Sequence, residues 1–412
     1  MQFQGSATFM KALPLMASAM IALLVGGLAG LGLLAVITGS TPGPLAVLSP
    51  IYGSHWFLMI LGFTNALISA ELLTLLSMEW SRRIAPRSLV AGFLVAYWIS
   101  IALYITGSTT IALIISTIGL ALVAWHTSRV LLTRSWIGLP PTHYNYLLTA
   151  TPIIMAMIIV YWLVAQRLGL PSYNLPLASL ILPVTAIIAV ESRDIPLLLG
   201  IPPTKSLAAR SRSLRIRAVA AYITSSLGIL ALASDYTSIG GMLIAVGGVL
   251  ALTSVALLEA VERASKAVPA TVKRHVATHV TLSYAWFIGA GLLALASSLG
   301  VIKGIALGDA VTHMLTLGFM FNVIMGIDAI LLYGHAGISL DKTPPPQPWP
   351  GLLLNTGLAL RILHDIGLLP GWIAVAGGAL TGVAIIIFYV RNMINIRRIL
   401  SQGVAKEPWN TP

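Results

Sequence analysis

Eight histidines and no cysteine set the terms for any metal or redox chemistry in this chain. Without thiols there is no disulfide, no thiolate metal site and no thioether-linked cofactor, so such chemistry falls to histidines and a few carboxylates. Most of the histidines lie at the ends of long apolar runs, where an ionisable side chain is costly and therefore a functional candidate. His55, His313 and His364 belong to one layer, and His126, His143, His275, His279 and His335 to another. The plain alternative for a histidine at a helix end is an interfacial residue bonding a carbonyl or a lipid headgroup. His275 and His279 have the i, i+4 spacing of a helical metal pair, but Lys273 and Arg274 beside them disfavour a cation and point to a structural or headgroup role. His313 and His335 fall on about the same face of one predicted helix, roughly 33 Å apart. His335 could thus serve a separate inner site with His126, His143, His275 or His279.

Two acids lie deeper. Glu71 follows His55, and Asp328 follows His313, by nearly the same interval, which places both roughly 23 Å below those histidines on helices expected to be neighbours. Acids at one depth can share a proton and form a proton-conducting element. Regular helical phase argues against it, because Glu71 falls about 160° from the direction of His55 while Asp328 falls about 60° from that of His313. Asn65 and Asn322, also at matching depths, are candidates for polar contacts between helices.

These residues need a scaffold, and composition says which kind. The chain has 412 residues, 57% hydrophobic and 9% charged, with a mean hydropathy of +0.92. Soluble domains carry about a quarter charged residues, so a soluble enzyme is excluded. Apolar runs of about 20 residues, each long enough to cross a bilayer, recur along the chain. They predict an all-α polytopic membrane protein of twelve spans: 10–37, 54–78, 88–106, 109–131, 146–166, 174–192, 215–233, 239–261, 278–299, 308–333, 351–369 and 371–395. With a cytoplasmic N-terminus, all but Arg167, Lys303 and Arg361 of the 24 Lys and Arg fall in inside segments, as the positive-inside rule demands. The net charge of +12 therefore orients the chain in its bilayer and is no sign of nucleic-acid binding. Residues 1–412 read as one membrane domain with both termini cytoplasmic, a basic cytoplasmic loop at 196–217 and a stiff Pro-rich cytoplasmic connector at 343–350.

The sequence around two of the histidines carries a resemblance. The second span reads SHWFLMILGFTNALISAELLTLLSMEW and the tenth reads AVTHMLTLGFMFNVIMGIDAILLYGHAGISL. These resemble the NnrS family of twelve-span haem- and copper-containing membrane proteins linked to nitric oxide stress. His55, Met59, Gly62, Phe63, Leu72, Leu73, Thr74 and Trp80 fall on the family's second-span pattern (HxHEMLFGF, GFLLT, NW). His313, Leu315, Thr316, Gly318, Gly334, His335, Gly337 and Leu340 fall on its tenth-span pattern (HALTxG, GHTGRxL), and Arg193, Ile195 and Pro196 match its GRxIPFFT segment. The family's second His and following Glu are Phe57 and Leu58 here, and its Arg after GHTG is Ile338, which puts copper in doubt.

A more distant similarity, to subunit I of haem-copper oxidases, implies a mechanism. There a low-spin haem is held between a histidine at the outer end of span two and one near the outer end of span ten. His55 and His313 are similarly placed, so the likeness implies a bis-His haem b near the outer face, with Gly62 and Gly318 letting the ring lie close to backbone. Arg361, with His364 one turn on, is implied to meet the propionates. The oxidases' high-spin haem position is Val311, and 174–233 contains no histidine for their copper site, so oxygen or nitric oxide reduction at a haem-copper centre is not expected. The GHAG match makes His335 a candidate for a second haem or for copper.

The resemblance implies a multi-pass protein of a prokaryotic cell membrane, acting in electron transfer or in the response to nitric oxide, with lipid, haem, respiratory subunits or a quinone or cytochrome as partners. Two other classes compete. A secondary transporter also fits twelve spans with mid-membrane polar residues, although the two halves show no repeat symmetry. A redox-silent subunit of a respiratory complex would make His55 and His313 dispensable.

Overall fold

A computed structural model describes residues 5–198, 212–262, 268–302 and 306–402, and these are helical with no strand among them. The helices are α1 (Gly5–Ile37), α2 (Gly43–Ser81), α3 (Arg87–Ile105), α4 (Thr109–Leu131), α5 (His143–Leu168), α6 (Ile181–Leu198), α7 (Arg212–Ala233), α8 (Thr237–Glu262), α9 (Ala270–Ser298), α10 (Leu307–His335), α11 (Trp349–Asp365) and α12 (Gly371–Ser401). Turns fall where backbone chemistry puts them. Gly107, Gly169 and Gly367 take positive φ just past α3, α5 and α11, the conformation that closes a helix and that glycine adopts without a Cβ penalty. Asn174 accepts a hydrogen bond from the Leu177 amide to start the short turn Leu175–Ala178 ahead of α6.

Ten of these helices are long and apolar enough to cross a membrane. That is fewer than the twelve full-length spans expected from the sequence. The other two expected spans are helices but shorter: the apolar part of the sixth is Leu175–Glu191, and α11 has 17 residues between the proline-rich connector and the turn at Gly367. The basic loop expected at 196–217 lies largely outside the described residues.

Burial divides the bundle into a centre and a rim. The most apolar windows of α10 and α2 are 89% and 78% buried, against at most 50% in each of the other eight. The rim helices present large apolar side chains such as Val95, Ile111, Met157 and Leu292 outward, which is the surface a lipid bilayer covers. The chain is a multi-pass helical membrane protein whose two central helices are those that carry His55 and His313.

α2 and α10 touch along their length. The Phe63 and Phe321 rings stack at 5.4 Å and 3°, and the Thr64 hydroxyl lies 3.8 Å from the Met320 sulfur. Both depart from regular α geometry at the same place. π-helical turns run over Leu58–Thr64 and Met314–Met320, each starting within three residues of its histidine, and a further one covers Glu71–Leu75. Such turns widen a helix locally and cluster at functional sites.

Candidate functional site: paired imidazoles between the central helices

His55 and His313 lie opposite each other across α2 and α10, with ring centroids 6.5 Å apart and planes within 6° of parallel. Each ring is aimed by one hydrogen bond to an oxygen that only accepts. His55 Nδ1 donates to the Gly26 carbonyl at 2.7 Å, and His313 Nδ1 donates to the Asp309 carbonyl at 2.8 Å. A neutral imidazole that donates through Nδ1 carries its lone pair on Nε2, so both histidines are in the tautomer that ligates a metal through Nε2. Two imidazoles bound in trans to one metal through bonds of about 2 Å have ring centres about 6 Å apart. The donor set and its spacing therefore fit a six-coordinate haem iron.

The close approach of α1 makes the aim of His55 achievable. A Cβ at Gly30 would overlap the His55 ring, so only glycine lets the imidazole lie on that turn of α1 and reach Gly26. The glycines expected to make room, Gly62 and Gly318, do other work. A Cβ on Gly62 would meet Ala22, and one on Gly318 would meet Trp286, so both serve helix packing.

Around His313 lies a charged frame. The Asp309 carboxylate comes within 3.4 Å of His313 Nδ1 and takes two hydrogen bonds from Arg361, from Nη2 at 2.8 Å and Nε at 3.2 Å. Arg361 lies beside His313, where its guanidinium holds Asp309. Asp365, on α11, is buried with one carboxylate oxygen unpartnered and lies against Asp309. Asp309 was not legible as a site residue, although its position one turn before His313 was the available signal. His364 does not join the pair: its Nδ1 bonds the Leu369 carbonyl at 2.8 Å and closes the end of α11.

At the other end of the bundle the structure separates what the sequence grouped. His335 Nε2 pairs with Glu79 at 3.5 Å, and His126 Nε2 lies 3.2 Å from the Ser77 hydroxyl. Among the described residues no group of three or more His, Asp or Glu is arranged to hold a metal ion, so no metal cluster gathers around His335. Tyr389 of α12 lies within electrostatic range of both Glu71 and Asp328. The Tyr389 hydroxyl is buried and has no hydrogen-bond partner. The π turns of α2 shift the phase of Glu71 from that of a regular helix, because each residue in a wider turn advances less around the axis. Two acids went unnoticed in the sequence: Glu191, fully buried and hydrogen-bonded by the Tyr284 hydroxyl, and Asp194 one turn on.

Asn322 bonds Asn355 of α11 reciprocally, at 3.1 and 2.9 Å, and Trp286 Nε1 donates to the Asn355 carbonyl oxygen at 2.6 Å. This ties α9, α10 and α11 together, the helix-joining role anticipated for Asn322. Asn65 instead accepts from Ser69 within α2 at 3.4 Å.

A membrane bundle with two imidazoles converging between its central helices defines the class. The NnrS protein family matches the chain over residues 7–398, nearly its whole length, and the chain belongs to that family. No curated protein matches it.

Proposed function

We propose that this chain is an integral-membrane haem b protein in which His55 and His313 would hold the haem, working in electron transfer within the response to nitric oxide. The observation that carries the reading is the pair of parallel imidazoles 6.5 Å apart, each with Nδ1 tied to a backbone carbonyl and Nε2 left to ligate. Family membership supports the link to nitric oxide. A low-spin haem b held by two histidines supplies one-electron transfer and has no open position for substrate.

The protein's own residues hold the site. Gly26 and Gly30 place His55, Asp309 orients His313, and Arg361 neutralises Asp309 and would meet the anionic propionates of a bound haem. Glu71, Tyr389 and Asp328 form a proton-carrying element reaching toward the His335–Glu79 end. In this reading the chain crosses the membrane twelve times, α6 and α11 included, in an arrangement like that of haem-copper oxidase subunit I. It sits in a prokaryotic cell membrane with His55 toward the outside, and exchanges electrons with a quinone or a cytochrome.

The test is the reduced-minus-oxidised optical spectrum of purified protein, with haem quantified as pyridine hemochrome, for wild type, His55→Ala and His313→Ala. A low-spin b-type band lost in both variants is the expected result. A well-folded wild type that binds no haem would remove the redox reading and leave a transporter or a structural subunit.

A further inference from the structure

At the end of the bundle opposite the His55–His313 pair, a cleft opens between α9, α10, α12 and the start of α11, with the Pro-rich connector along its rim. Helix length tells its depth in the bilayer. Arg391, in its wall, lies roughly 30 Å along α12 from Gly371, and the hydrocarbon core of a bilayer is about 30 Å thick. With Gly371 at one surface, Arg391 therefore reaches the phosphate layer of the opposite leaflet. The cleft changes character along the same direction. Met325 and Phe388 are buried at its deep end, and Tyr333, Arg391 and Asn392 follow within one or two turns toward the water.

The polar end is built to donate hydrogen bonds. Arg391 is half-buried, and among the described residues no carboxylate lines the cleft or pairs with its guanidinium. The Tyr333 hydroxyl donates to Asn392 Oδ1 at 3.0 Å, which leaves Asn392 to act through its NH₂ group. Gln347 of the connector adds a second amide, and Pro350 and Gly351 bring the first turn of α11, the positive end of that helix, to the wall. The two imidazoles of α9 are fixed in place. His275 Nε2 donates to the Met325 carbonyl at 3.0 Å, His279 Nδ1 donates to Asn322 Oδ1 at 3.3 Å, and a Cβ at Gly351 would overlap the His279 ring, so α11 packs directly on it. They form the side of the cleft in the structural role that the flanking charges predicted.

We propose that this cleft binds the phosphate group of an anionic phospholipid, with Arg391 as its charge partner, the Asn392 and Gln347 amides as further donors, and the acyl chains running past Met325 and Phe388. A guanidinium presents parallel N–H groups that match two phosphate oxygens. A half-buried cation with no acid beside it is costly alone and is relieved by a resident anion. The depth and the apolar deep end select a lipid over a free anion, and basic pockets between membrane helices take such headgroups. The wall also selects the headgroup: without a carboxylate there is nothing to pair the ammonium of a zwitterionic lipid, so a net negative charge is preferred. The site is independent of the haem reading.

The test titrates full-length, delipidated protein in a neutral detergent with phosphatidylglycerol or phosphatidylcholine and counts bound lipid by native mass spectrometry. Wild type is expected to hold phosphatidylglycerol about tenfold more tightly than phosphatidylcholine, and Arg391→Gln to lose that preference. Arg397→Gln, which removes an exposed cation of the same helix outside the cleft, should match wild type. Equal affinity for the two lipids in wild type, an unchanged preference in Arg391→Gln, or an equal loss in Arg397→Gln overturns the site. Displacement of the lipid by millimolar inorganic phosphate would make it a free-anion site and overturn the lipid assignment. Because a variant can misfold, wild type labelled with a photoreactive phosphatidylglycerol gives a second reading: label within 344–347 or 388–395 supports the site, and label confined to other segments refutes it.

Discussion

Replacing Gly30 by alanine tests the geometry of the His55–His313 pair with one methyl group. The new Cβ would overlap the Cε1, Nδ1 and Nε2 atoms of His55, so the ring must swing off α1 or the helices must part. Overpacking a close contact costs about 1–3 kcal/mol, and losing the bond to the Gly26 carbonyl costs about 1 kcal/mol more. The gain in helix propensity returns about 0.5–1 kcal/mol. The net expectation is a destabilisation of about 1–3 kcal/mol, together with loss of the 6.5 Å parallel arrangement. Gly27, the built-in control, has nothing within 4 Å of an added Cβ and faces outward, so Gly27→Ala should be neutral or slightly stabilising. Thermal unfolding in detergent and haem content, measured side by side, separate the two. Gly30→Ala should approach His55→Ala in bound haem while Gly27→Ala matches wild type. Equal stability and equal haem in Gly27→Ala and Gly30→Ala would refute the role given to α1.

The other substitutions address the frame and the deep acids. Asp309→Ala strips Arg361 of both its hydrogen bonds and leaves a guanidinium that is only 11% exposed; because the Asp309 side chain is itself 39% exposed, solvent screens part of the loss. A drop of about 1–3 kcal/mol in thermal unfolding, smaller at high salt, is expected, and an unchanged melt would show that the pair does not brace His313. Tyr389→Phe removes a buried hydroxyl that has no partner, so stability should hold or rise by up to about 1 kcal/mol. If that hydroxyl relays protons between Glu71 and Asp328, proton uptake coupled to haem reduction should slow in the same variant, measured by a pH dye in stopped flow. Unchanged uptake would assign Tyr389 to packing alone.

Much of the architecture was written in composition and periodicity. Apolar runs of bilayer length can be read one segment at a time, because every backbone polar group must be satisfied within its own helix. The motifs around His55 and His313 were likewise local, and they led to the two helices that form the centre of the bundle. Which oxygen aims each ring was not local. Gly26 and Gly30 lie on another helix, and nothing in the spacing of α1 marks them as the floor of a histidine site. Asp309 was closer at hand, but its pairing with Arg361 joins α10 to α11 and appears only on packing. The direction of Glu71 was not local either: extrapolation around an α-helix assumes a constant turn, and the π segments of α2 break that assumption. Whether a side chain faces its sequence neighbour or a cavity depends on how the helix is rotated in the bundle. Sequence fixes a residue's depth along its helix, whereas rotation, neighbour and hydrogen-bond acceptor are settled by the packing of all the helices together.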